Sequence, residues 1–257
     1  RDALVDHNLT AGQIDKLRKE LEADPVQWCK YLFPSYAKYE FAPFHIKAIK
    51  RLTQNDEWYE VLSWSRELAK STITMMVMIY LALTKRKRFF VMTSSSKDSA
   101  RDYLTPYRIN LEMNPRLKQL YGDQINIGSW EAHDFTARCG ARFLALGAGQ
   151  SPRGKKNESI RPDVIIADDF DTDEDCRNPE TIKKKWEWYN QALYPTRSIS
   201  EPTLIVWCGN IIAKDCCVVR AGALADHWDV INIRDKHGKS TWPEKNTEEF
   251  IDRTLKP

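Results

Sequence analysis

The chain has 257 residues, of which 42% are hydrophobic and 29% charged, and its net charge is +3. Those values suit a globular domain with a sizeable core, and a balance this mildly basic does not by itself announce nucleic acid. Six cysteines without a Cys-x-x-Cys pair argue against structural zinc and a disulfide framework. The longest apolar run, Ile73 to Leu83, is too short to span a bilayer, and the polar, charged beginning of the chain does not read as a signal peptide. Reduced thiols and no membrane partner are expected.

In chain order, Thr10 and Gln13 form a capping-box pattern ahead of Ile14, Leu17 and Leu21, so a helix is expected that ends before Pro25. Further helices are expected over residues 26–32, stopped by Pro34, and 44–52, opened by Pro43. The pattern then changes. Strand candidates at 59–64, 88–92, 164–167, 204–208 and 228–233 alternate with helix candidates at 72–84, 98–112, 179–193 and 215–224. This alternation predicts an α/β fold with a mostly parallel sheet between helices. Residues 135–138 and 142–145 flank Cys139-Gly140-Ala141, a hairpin signal. The expected organisation is an N-terminal helical lid (1–55), a core (56–238) and a linker (239–257).

Between the first strand candidate and its helix lies Ser65-Arg66-Glu67-Leu68-Ala69-Lys70-Ser71-Thr72. Strand, short loop, Lys-Ser/Thr and helix is the layout of a phosphate-binding loop. Backbone N–H groups and the positive helix end hold a polyphosphate, lysine reaches its terminal phosphates, and the hydroxyl binds magnesium. The usual pattern has Gly at two positions that Trp64 and Ala69 occupy here.

A second anchor follows about 100 residues later. The apolar stretch Val164 to Ala167 ends in Asp168-Asp169, and strand ends of a parallel sheet converge on one crevice. Asp168 is the candidate magnesium ligand and Asp169 the candidate for activating water, with Asp171 and Glu174 as possible assistants. The acidic run Asp171, Asp173, Glu174 and Asp175 lacks the spacing of a calcium loop and is expected to be solvated. Ser96 is a candidate helix cap. Lys85-Arg86-Lys87-Arg88 and Lys183-Lys184-Lys185 are expected to be solvated faces, with contact to a DNA backbone as the functional alternative.

Taken in order, these residues resemble the ATPase half of the large terminase subunit of tailed bacteriophages. The loop at 65–72 is similar to that family's deviant phosphate loop, which often lacks the first Gly and carries an Arg. Phe41-Ala42-Pro43-Phe44-His45-Ile46-Lys47-Ala48-Ile49 resembles its adenine-recognition segment, with His45 where the family usually has Gln. Leu204 to Cys208, with Gly209 and Asn210, resembles its coupling motif, and Ser240-Thr241-Trp242-Pro243-Glu244 the stretch before its nuclease domain.

The resemblance covers nearly the whole chain and implies a RecA-like core of the ASCE class, ATP and Mg2+ as cofactors, and ATP hydrolysis that drives double-stranded DNA into a procapsid. It implies nucleotide contacts from Phe44, His45 and residues 65–72, magnesium held by Ser71 and Asp168, and catalysis by Lys70, Asp169 and Arg66. Cys208, Gly209 and Asn210 would couple hydrolysis to motion. Arg153 is the candidate arginine that a neighbouring subunit supplies, with Arg101 and Arg161 as runners-up. The implied partners are other copies in a pentameric ring, the portal and procapsid, and the small terminase subunit, in the cytoplasm of the bacterial host. The parent protein is expected to continue into a ribonuclease-H-like nuclease beyond residue 257. A helicase-like translocase and a nucleotide-binding scaffold without turnover are the alternatives.

Overall fold

The structure is a computed structural model that describes residues 5–6, 8–152 and 160–255. Its strands are β1 (Trp58–Trp64), β2 (Phe89–Ser94), β3 (Asp134–Thr136), β4 (Arg142–Gly147), β5 (Val164–Asp168), β6 (Leu204–Cys208) and β7 (His227–Ile231). They form one sheet in the order β3-β4-β2-β5-β6-β1-β7. All its pairings are parallel except the antiparallel hairpin of β3 with β4. The expected alternation and the expected hairpin are both present.

Successive side chains of each central strand enter different cores, as a two-residue period requires. Leu62, Trp64, Phe90, Met92, Val164, Ile166, Leu204 and Val206 face one apolar cluster. Tyr59, Val61, Phe89, Val91, Ile165, Ala167, Ile205 and Trp207 face the other. Burial on both faces explains why β5 and β6 read as nearly continuous apolar runs.

The helices on the first face are α1 (Ala11–Ala23), α2 (Pro25–Leu32), α3 (Pro43–Gln54), α4 (Lys70–Leu83), α5 (Lys97–Met113) and α6 (Pro115–Tyr121). Thr10 and Gln13 make the predicted reciprocal capping box on α1, and Ser96 accepts the Ser99 N–H at 3.1 Å to cap α5. Helix α4 is apolar all round because it is enclosed all round: it packs on β6 and is covered by α2, α3 and α5. Trp28, Leu32, Ile49 and Leu52 of the N-terminal helices share one cluster with the sheet, so residues 11–54 form a layer of the core.

The other face carries α7 (Pro179–Trp188) and α8 (Cys217–Gly222). The expected helix at 179–193 is α-helical only to Trp188 and continues as a π-helical turn over Tyr189–Leu193. Two helices were not expected: α6, capped by Asn114, and α9 (Glu248–Leu255). The segment expected as a linker is folded, with Trp242 buried in the first cluster. No helix among the described residues is long and apolar enough to cross a membrane.

Candidate active site

Strands β5, β6 and β1 are neighbours and parallel. Their C-terminal ends therefore open on one crevice, and each is followed by one of the sequence candidates: Asp168-Asp169 after β5, Gly209-Asn210 after β6, and the 65–69 loop after β1. Ser65 N–H donates to Ile231 O of β7 at 2.8 Å, which anchors the start of that loop. Trp64, the residue at the first glycine position, ends β1 as a fully buried core side chain. The loop begins only after it, so nothing there requires glycine.

The backbone at this crevice is held in unusual conformations. Four non-glycine residues among those described have positive φ, and three are here: Glu67 (70°), Ala69 (61°) and Asp169 (41°). Such strain concentrates at functional sites because the surrounding structure must enforce it. Ala69 is the N-cap of α4 and provides no side-chain cap. The first amides of a helix have no partner within it, so this end of α4 offers its N–H groups to an anion.

The side chains across the crevice meet. Ser71 Oγ donates to Asp168 Oδ1 at 2.7 Å, and Lys70 Nζ donates to Asn210 Oδ1 at 3.3 Å. Both Lys70 and Asp168 are only 8% exposed. Burial, and then the neighbouring charge of Asp169, push the Asp168 carboxyl up to about 7, while Ser71 and Lys70 pull it down. The Asp169 N–H donates to Cys208 O at 3.0 Å. Asp169 itself is exposed and shares a cleft of about 280 Å³ with Arg66, Ser95, Gly209 and Asn210. Cys208 Sγ lies 3.2 Å from Thr74 Oγ1 of α4. A Cβ on Gly209 would stand 3.2 Å from Val218, so a small residue keeps β6 and α8 in contact.

A hydroxyl and a carboxylate at hydrogen-bond distance are hard oxygen donors of the kind magnesium takes, with water completing its shell. A buried carboxyl pushed towards neutrality is also one whose charge calls for a cation. The pair Ser71 and Asp168 therefore fits magnesium. A second cluster of possible ligands, Glu60, His227 and Asp229, lies beside β1 and β7. Arg51 already occupies it, at 2.6 Å from Glu60 and 3.2 Å from Asp229.

One expected contact is corrected. His45, expected to read a base, is fully buried with both ring nitrogens engaged inside the protein. Nδ1 accepts the Ala42 N–H at 3.0 Å, so Nε2 carries the proton and donates to Leu68 O at 2.9 Å. Burial holds the imidazole down at about 4, which keeps it neutral. Phe44 packs on His45 and Trp64, with ring centroids 4.1 and 4.9 Å away. These two residues support the loop from the core side. Arg153 lies outside the described residues.

The acidic run is also less solvated than expected. Asp171 is buried and accepts the Val218 N–H at 3.0 Å, and Asp175 pairs with Lys185 at 2.7 Å. Sequence reasoning missed Lys245, whose Nζ donates to Glu67 O at 2.9 Å and to Glu67 Oε2 at 2.8 Å. No local signal marks it, since the two residues are 178 positions apart.

Fold and site together define an α/β domain whose seven-stranded, mostly parallel sheet is compatible with a Rossmann or RecA-like core. No protein-family model matches the chain, and no curated protein matches it.

Proposed function

We propose that this domain is a magnesium-dependent ATPase of the ASCE class, and that it serves as the motor domain of a terminase-like machine that moves double-stranded DNA into a viral procapsid. The observation that carries the ATPase reading is the bond between Ser71 Oγ and Asp168 Oδ1, which joins the loop after β1 to the acid after β5. Strand β6 lies between β1 and β5 and brings Asn210 to Lys70, an arrangement that supports the ASCE class. The packaging role rests on the order and spacing of the motifs.

In this reading the amides at the start of α4 and Lys70 bind the β- and γ-phosphates, and Arg66 offsets charge from the exposed side of the loop. Ser71 and Asp168 hold magnesium, which when bound neutralises phosphate charge. Asp169, in the open cleft, orients the attacking water and takes its proton. Asn210 touches Lys70 and registers loss of the terminal phosphate, and Cys208 and Gly209 pass that change to α4 and α8 through Thr74 and Val218. A second arginine from a neighbouring copy in a ring would complete charge stabilisation.

The test is magnesium-dependent release of phosphate from ATP, stimulated by DNA and procapsids. Loss of that activity in Lys70→Ala supports the motor. Activity unchanged in that variant overturns the assignment. Tight ATP binding with no turnover in either protein would indicate a scaffold.

A further inference from the structure

The 65–69 loop is held from behind by two residues that come from distant parts of the chain. Lys245 Nζ bonds the carbonyl oxygen of Glu67, and His45 Nε2 bonds the carbonyl oxygen of Leu68. No described peptide bond is cis, and in a trans peptide the C=O and the following N–H point in opposite directions. Gripping Glu67 O therefore turns the Leu68 N–H away from Lys245, and it donates within the loop to Ser65 O at 3.3 Å. Gripping Leu68 O turns the Ala69 N–H away from His45 and out of the core.

Lys245 is itself fixed. Its turn is closed by N–H groups of Lys245 and Asn246 that donate to Trp242 O at 3.2 and 2.9 Å. Trp242 is buried, donates from Nε1 to Glu40 O at 2.7 Å, and sets its ring edge-on to His45 at 4.5 Å. The Lys245 ammonium lies 5.3 Å from the Trp242 ring centre. The two clamps thus form one unit around Trp242, and between them sits Glu67 in a left-handed conformation that residues with a Cβ seldom adopt.

We propose that Lys245, acting with His45, is a positioning residue for the phosphate loop: by bonding both the carbonyl and the carboxylate of Glu67 it holds the loop's left-handed turn in place, so that the Ala69 amide and the first amides of α4 face the polyphosphate before nucleotide arrives. This rests on reading residues 65–72 as a phosphate loop. It makes the segment around Trp242 a part of the nucleotide site and a direct link from the chain beyond β7 to that site.

The experiment is equilibrium binding of a fluorescent ATP analogue with magnesium, together with steady-state hydrolysis, for Lys245→Met, Lys245→Arg, the double variant Lys245→Met/Glu67→Gly, and Lys70→Ala. Loss of pre-organisation should weaken binding by Lys245→Met about tenfold, with KM raised and kcat within about twofold of wild type. Lys245→Arg should bind as wild type does, because a longer cation can still span both oxygens. The double variant should recover affinity, because glycine adopts positive φ without a clamp.

If Lys245→Met binds normally while Lys70→Ala does not bind, the positioning role is wrong and the phosphate loop stands. If Lys70→Ala binds normally, the phosphate loop is wrong and the clamp falls with it. If the double variant stays as weak as Lys245→Met, Lys245 acts by its charge on the nucleotide and not through Glu67, and the proposal is overturned.

Discussion

The two ends of the sheet carry similar residue types and treat them in opposite ways. At the N-terminal ends, Lys87 is buried with Nζ donating to Asp56 O and Pro202 O, both at 2.8 Å. Asp163 accepts the N–H groups of Arg88 and Phe89 at 2.9 and 2.8 Å. Arg86 pairs with Asp56 at 2.7 Å. Every one of these charges has protein partners: Asp163 joins the starts of the neighbouring strands β5 and β2, while Arg86 and Lys87, ahead of β2, reach Asp56 ahead of β1. At the C-terminal ends, Asp168 has one hydroxyl partner and sits beside Asp169, Lys70 has one amide partner, and three residues hold positive φ. One end uses its charges to hold the sheet, while the other gathers charge and strain around an open cleft. A basic run such as 85–88 is therefore no guide to a nucleic-acid surface by itself.

The largest test of that contrast is Lys70→Ala. If Lys70 meets the phosphates as proposed, its removal should lower ATP hydrolysis by about 10²–10³-fold, read as phosphate release, with little change in melting temperature. Next is Asp168→Asn. The folded carboxyl, pushed up to about 7, lies above its unfolded value of 3.8, so ionising it costs stability in full above 7, and the cost shrinks as pH falls from 7 towards 3.8. The asparagine variant, measured without nucleotide or magnesium at pH 8, should be more stable by about 2–4 kcal/mol in urea unfolding while losing magnesium-dependent ATP binding. A destabilised variant would mean that the carboxylate has a structural role like that of Asp163.

His45 offers a third measurement with the opposite sign. Its folded value, near 4, lies below the unfolded value of 6.5. Its neutral form is held above that window, and stability is lost as pH falls from 6.5 towards 4, by about 3 kcal/mol at most. Because Asp168 works the other way at overlapping pH, the effect is read as the difference between wild type and His45→Gln across pH 4–7. A flat difference would mean that the imidazole is not the buried neutral link to Leu68. The smallest expected effect is at the other end of the sheet. Lys87→Met should cost about 2 kcal/mol in unfolding free energy, since it strands two carbonyls, and leave ATP affinity as in wild type. Weakened ATP binding in that variant would break the distinction between the two ends.

Much of this could be read from the residues alone. The strand expected at 204–208 coincides with β6, and those at 59–64 and 164–167 agree with β1 and β5 to within one residue, because strands buried on both faces are written as mostly apolar runs; β1 alone of the three carries polar residues, Glu60 and Ser63, within it. Lys70, Ser71, Asp168, Asp169 and Asn210 could be picked out as candidates because each stands at or beside an element boundary, where local pattern is strongest, and the structure gathers them at one crevice. His45 was misread because its neighbours along the chain say nothing of Leu68 and Trp242, which enclose it. Lys245 was invisible for the same reason. Trp64 stands where the usual phosphate loop has Gly, and it is the last residue of β1, as the strand expected at 59–64 has it.

The sequence by itself determined the order of strands and helices and the chemical types at their ends, since periodicity, caps and turn residues act over a few positions. Only the tertiary structure decided that β6 lies between β1 and β5, that Lys70 meets Asn210 from 140 residues away, and that His45 and Lys245 grip consecutive carbonyls of one loop. Those facts depend on which strands pair and which faces pack. Burial of apolar surface drives that choice, and it is not directional enough to be read from any one stretch of chain.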